Sequence, residues 1–153
     1  MDARTSSRPA RQGEALRELA IVHQLVTTRL NRALRPLGIT LTHTSLMLHL
    51  SHAKEDSSVG EIAAAMEVNQ PAVSKTLRTL TDLGAVTIDT PPDDARRRSV
   101  RLTRAGHTLL TNAMAAMNPD ATLAFADLDD AHLDNLVRLL RAVRERLDEA
   151  RDG

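Results

Sequence analysis

Three consecutive arginines, Arg96, Arg97 and Arg98, stand between two short β-prone runs, residues 85–89 and 99–103. Guanidinium groups crowded at the tip of a ribbon repel one another and build no core, but they suit contact with a polyanion. A second set of groups precedes them. Gln70, Ser74, Lys75 and Arg78 fall within about two turns on one side of a helix. Gln bonds bidentately to adenine, Lys and Arg to guanine or phosphate, and Ser to either. The chemistry on offer is recognition of double-stranded nucleic acid.

Bond-making chemistry finds no support. The chain has no cysteine, no Gly-rich phosphate loop and no G-x-S-x-G elbow, so no enzyme is expected. His49 and His52 are three apart, with His43 nearby, a spacing that permits joint metal ligation. No thiolate can complete such a set. The three are expected to be solvated helix-surface imidazoles, with no metal and no cofactor.

The elements that would position these residues follow from hydrophobic spacing. Leu16, Leu19, Val22, Leu25, Val26, Leu30 and Leu34 predict one long helix over 14–36, stopped at RPLG, where Pro36 bars continuation. Thr42 is placed to cap a second helix ending near His52. Ser58 and Glu61 have the S-x-x-E spacing of a capping box, opening a short helix over 58–67. A three-residue turn leads to a helix over 70–83, with Pro71 near its start and Gly84 as its C-cap. At 100° per residue, Val73, Leu77, Leu80 and Gly84 share one side of that helix. Pro71, Ser74, Lys75, Arg78 and Asp82 share the other. The apolar side must pack, so the polar side faces outward, where a major groove could receive it. Helix, turn, helix and basic ribbon together make a winged helix-turn-helix.

Thr103 is expected to cap a further helix, kinked or broken at Asn118-Pro119. A last helix over 129–150 is capped near Asp129 and striped with Leu133, Leu136, Val137, Leu140, Val143 and Leu147. The fold class is thus mainly α (α+β), a winged helix-turn-helix with a two-stranded β wing and long N- and C-terminal dimerisation helices. Residues 1–12, rich in Ser, Pro, Gly and Arg, read as a disordered arm. Residues 13–38 and 104–153 form the helical dimerisation region, and 39–103 the DNA-binding domain. Surplus apolar stripes at both ends suggest a subunit interface.

Bulk composition agrees. Formal net charge is zero over 153 residues, yet residues 69–104 carry seven basic and four acidic side chains, while 119–153 carry five basic and nine acidic. The positive field sits where helix and wing would meet phosphates. Phe125 is the one aromatic residue, so stacking on single strands is disfavoured. No apolar run suggests a membrane span or a secretory signal, and a cytoplasmic location is expected.

The wing residues resemble those of the MarR family of transcriptional regulators. Asp94-Ala95-Arg96 matches the family's D-x-R, and residues 100–106 (VRLTRAG) match its V-x-L-T-x-x-G. Residues 83–86 (LGAV) resemble its joint between reading helix and wing. The resemblance implies a homodimer on a pseudo-palindromic operator in double-stranded DNA. It implies that Arg96 enters the minor groove, held by Asp94, while Arg97 and Arg98 reach phosphates. It implies a repressor released by a small organic effector in a cleft between dimer helices and DNA domain. By position the cleft candidates are His23, Met47, His107 and Met114. A constitutive DNA binder or architectural protein without an effector is the alternative.

Overall fold

The computed structural model describes residues 7–53, 56–66, 70–93 and 98–151. Helix α1 spans Arg8–Leu34, followed by a 3-10 turn at Arg35–Leu37. Helix α2 spans Leu41–His52, strand β1 Ser57–Ser58, helix α3 Val59–Met66 and helix α4 Gln70–Asp82. Strands β2 (Val86–Asp89) and β3 (Ser99–Leu102) form the wing, and helices α5 (Arg104–Ala124) and α6 (Asp130–Ala150) complete the chain. Two compact units divide it, residues 1–117 and 118–153.

Helix α1 begins at Arg8, inside the segment expected to be disordered. Ser7 caps it, its hydroxyl accepting from the Ala10 amide at 3.4 Å. Pro9 lies in the first turn, where its missing N–H costs nothing. The other end obeys the RPLG signal. Helical geometry tightens after Leu34, and Gly38 turns the chain at φ 73°, a left-handed conformation suited to glycine.

Helix α2 corrects a second expectation. Its N-cap is Thr40, two residues before Thr42. The His43 ring supplies the cap: its Nδ1 accepts from the Thr40 amide at 2.9 Å and lies 2.9 Å from the Thr40 hydroxyl. Asn31 Oδ1 accepts from the Leu41 amide at 2.7 Å, so the end of α1 also holds the start of α2. His43 is therefore half-buried and structural rather than a solvated imidazole. Burial pushes its pKa below the ordinary imidazole value.

The first unit has one core. Leu34, Leu46, Met47, Ile62, Val73, Leu77, Leu80, Val86 and Val100 are buried in a single cluster that joins α1, α2, α3, α4 and the sheet. The sheet is antiparallel with order β1-β3-β2. Val86 pairs with Leu102 and Asp89 with Ser99. Strand β1 makes it three-stranded, where the sequence suggested two: Ser57 pairs with Val100 and Ser58 with Ser99.

Helix α5 passes through Pro119 and ends at Ala124, not at Asn118. Proline removes one intrahelical hydrogen bond but leaves φ helical, and twenty other residues sustain the helix. In the second unit α6 starts as anticipated, with Asp129 Oδ1 accepting from the His132 amide at 2.8 Å. Among the described residues no helix is long and apolar enough to cross a membrane.

Candidate nucleic-acid interface

The helix-turn-helix is set by caps at both ends. The Ser58 hydroxyl accepts from the Glu61 amide at 3.1 Å, and Glu61 Oε2 accepts from the Ser58 amide at 3.3 Å, completing the capping box that opens α3. At the far end of α4, Gly84 adopts φ 70°, its amide donates to Thr81 O at 2.9 Å, and the Ala85 amide donates to Leu80 O at 2.8 Å. This is a Schellman closure, and it turns the chain from α4 into the wing.

With its ends fixed, α4 shows two faces. Val73, Leu77 and Leu80 are buried. Pro71, Ser74, Lys75, Arg78 and Asp82 are exposed. Gln70 opens the helix, but its side chain lies outside the described residues. Asp94, Arg96 and Arg97 lie outside them too, so only Arg98 of the wing cluster can be placed.

Arg98 is exposed beside α4. It shares a notch of about 280 Å³ with Ser74, Arg78, Thr81 and Asp82, floored by Val59, Leu77 and Ile88. The notch thus brings wing and helix residues together within one compact unit. Among the described residues neither Arg78 nor Arg98 forms an ion pair. Two guanidinium groups beside a Ser hydroxyl, with the Asp82 carboxylate in the same notch, can hold a phosphate oxygen.

The four cleft candidates separate. Met47 is fully buried and belongs to the core, because it faces inward from α2. His107 and Met114 are exposed on α5 and border no cavity described for this unit. His23 does line a cleft, an open one of about 520 Å³ between α1, α2 and α3. Thr27, Asn31, Leu41, Thr42, Ser45 and His49 line it as well. Sequence reading named His23 but missed Thr27 and Asn31, although the three recur every four residues on α1 and form a polar stripe. Thr27 Oγ1 is buried without a hydrogen-bond partner among the described residues.

Comparisons with known proteins agree with this fold. Residues 37–97 match the MarR family. A MarR-family transcriptional regulator from a Rhodococcus species is similar in fold, with TM-score 0.77 at 20% identity over 90% of this chain and 97% of that one. The transcriptional regulator BldR from Sulfolobus solfataricus gives TM-score 0.80 at 18% identity over 92% and 99%. CouR from Rhodococcus jostii, solved bound to p-coumaroyl-CoA, gives 0.70 at 22% identity over 82% and 87%.

Proposed function

We propose that this chain, whose residues 37–97 match the MarR family, is a dimeric transcriptional repressor that binds specific sequences of double-stranded DNA. The observation that carries the reading is the shared exposure of Ser74, Lys75, Arg78 and Arg98 on one side of one unit. Helix α4 would enter the major groove with Gln70, Ser74, Lys75 and Arg78 toward base edges and phosphates. Arg98 and Arg97 would reach the backbone. Arg96, oriented by Asp94, would read the width of the adjacent minor groove, as the family resemblance implies.

Surface that one copy leaves uncovered supports a dimer. On α1, Leu16 is 69% exposed, with Val22 and Leu25 also exposed; on α6, Leu147 is 66% exposed, with Val137, Leu140 and Val143. Apolar stripes of this length mark protein interfaces. Two-fold pairing would put two reading helices on half-sites about one helical turn apart.

The cleft beside His23 is where we place an organic effector. CouR carries p-coumaroyl-CoA. The second reading, a DNA binder without an effector, is favoured by one feature: among the described residues the cleft's lining includes no Arg, Lys, Phe, Tyr or Trp side chain. Thermal-shift screening with aryl carboxylates and acyl-CoA thioesters separates the two, because a true effector raises Tm with its concentration.

Selection of bound duplexes from a random DNA pool tests the main reading. An inverted repeat with two half-sites is the expected product. A pool that remains unenriched would refute it.

A further inference from the structure

Strand β1 is only two residues long, yet it joins the wing to the helix-turn-helix. Ser57 pairs with Val100 and Ser58 with Ser99. Ser58 is also the residue that caps α3. Any tilt of β3 therefore reaches the first helix of the reading motif through two residue pairs. Continuing the antiparallel register by one step sets Asp56 opposite Arg101.

The side chains at that next position make the contacts that the short ladder lacks. Arg101 Nε and Nη2 donate to the two oxygens of Asp56 at 3.2 and 2.9 Å, a forked, bidentate geometry. The Ser99 hydroxyl donates to the same carboxylate at 3.3 Å. On the other flank, β2 places Thr87 opposite Arg101 and Asp89 opposite Ser99. Arg101 thus lies on the central strand with Asp56 across from it on one flank, Thr87 on the other and Asp89 diagonal to it, and Asp56 engages its guanidinium. Hydrogen bonds from Arg101 hold the Asp56 carboxyl below its ordinary pKa.

We propose that Asp56 and Arg101 form a cross-strand clamp that positions the wing against the helix-turn-helix for docking on DNA. Both are positioning residues and neither touches DNA. The proposal rests on the regulator reading, and it makes a prediction of unexpected sign. By charge alone, Asp56→Asn removes a negative group near a polyanion and should tighten binding. As a clamp, its loss lets the wing wander and should weaken binding.

The test is fluorescence anisotropy on the selected duplex, with melting temperature measured in parallel. Asp56→Asn is expected to weaken binding roughly three- to tenfold, with an unchanged salt slope because the phosphates contacted are the same. Its Tm should hardly move, since exposed ion pairs add little stability. The swapped pair Asp56→Arg with Arg101→Asp should recover most of the affinity. Equal or tighter binding by Asp56→Asn would overturn the clamp. So would a shallower salt slope in Arg101→Gln than in Asp56→Asn, which would make Arg101 a phosphate ligand. A Tm loss in step with affinity, in both Asp56→Asn and the swapped pair, would reduce the contact to a structural one. If the wild-type chain binds no duplex, the regulator reading fails and the clamp fails with it; wild-type binding with tight Asp56→Asn binding removes the clamp alone.

Discussion

The Thr103 hydroxyl donates to the Gly84 carbonyl at 2.6 Å, tying the first residue after the wing to the residue that ends the reading helix. The same oxygen accepts from the Gly106 amide at 3.0 Å and so caps α5. The Thr103 amide donates to Ala85 O at 3.0 Å. One side chain therefore closes the loop in which α4, both wing strands and α5 meet. This gives the L-T-x-x-G run its physical content.

Thr103→Val keeps the shape and removes both hydroxyl bonds. A lost cap together with an unpaired carbonyl should cost about 1–2 kcal/mol. Thr103→Ser should retain most of that. Urea denaturation of the two variants checks the difference.

Gly106 is required for its lack of a Cβ. A Cβ there would lie well inside contact distance of the Ala85 carbonyl oxygen and 2.6 Å from Leu102 Cδ1. The obstacle is backbone that Thr103 already engages, so it cannot give way cheaply. Gly106→Ala should destabilise by about 1–3 kcal/mol, read as a lower urea midpoint at constant slope.

His43 predicts a pH dependence. Burial favours its neutral form and lowers the folded-state pKa below the ordinary 6.5. The unfolded chain therefore binds the proton more readily. The stability contributed is present above about pH 6.5 and is lost as pH falls through the folded pKa. Protonation would also end acceptance of the Thr40 amide by Nδ1. Denaturant unfolding between pH 8 and pH 5 should show wild-type stability falling on the acid side, with a shallower fall in His43→Gln. Parallel curves would remove His43 from the account.

Leu25 on α1 is exposed and stands in the stripe assigned to the subunit interface. Leu25→Asp should leave the core of the first unit intact and raise the dimer dissociation constant roughly tenfold or more, because a charge would be buried at the contact. Sedimentation velocity over a concentration series measures it. An unchanged distribution would place the interface elsewhere.

Much of this was legible in the sequence because the signals are local. The Ser58–Glu61 box and the Gly84 cap act over three to five residues, and the two faces of α4 separate cleanly at 3.6 residues per turn. What escaped was either too short for a period or too distant for a pattern. Strand β1 has two residues and no alternation to show. Asp56 and Arg101 are 45 positions apart, and only strand register brings them together. Thr40 capping with a histidine at the third helical position is not the usual box, so Thr42 looked the better cap. Ser7 before Arg8-Pro9 was a legible helix start, masked by a composition that reads as disorder. Pro119 looked like a breaker because local preference takes no account of a long helix around it.

The central claim is that α4 and the wing present one cationic surface to duplex DNA. Anisotropy titration of the selected operator between about 50 and 200 mM salt, for the wild type and the Lys75→Ala/Arg78→Ala double variant, addresses it directly. A steep fall of log affinity with log salt is predicted for the wild type, with the slope reduced by about two in the double variant if both side chains reach phosphates. Identical slopes and affinities for the two proteins would contradict the account.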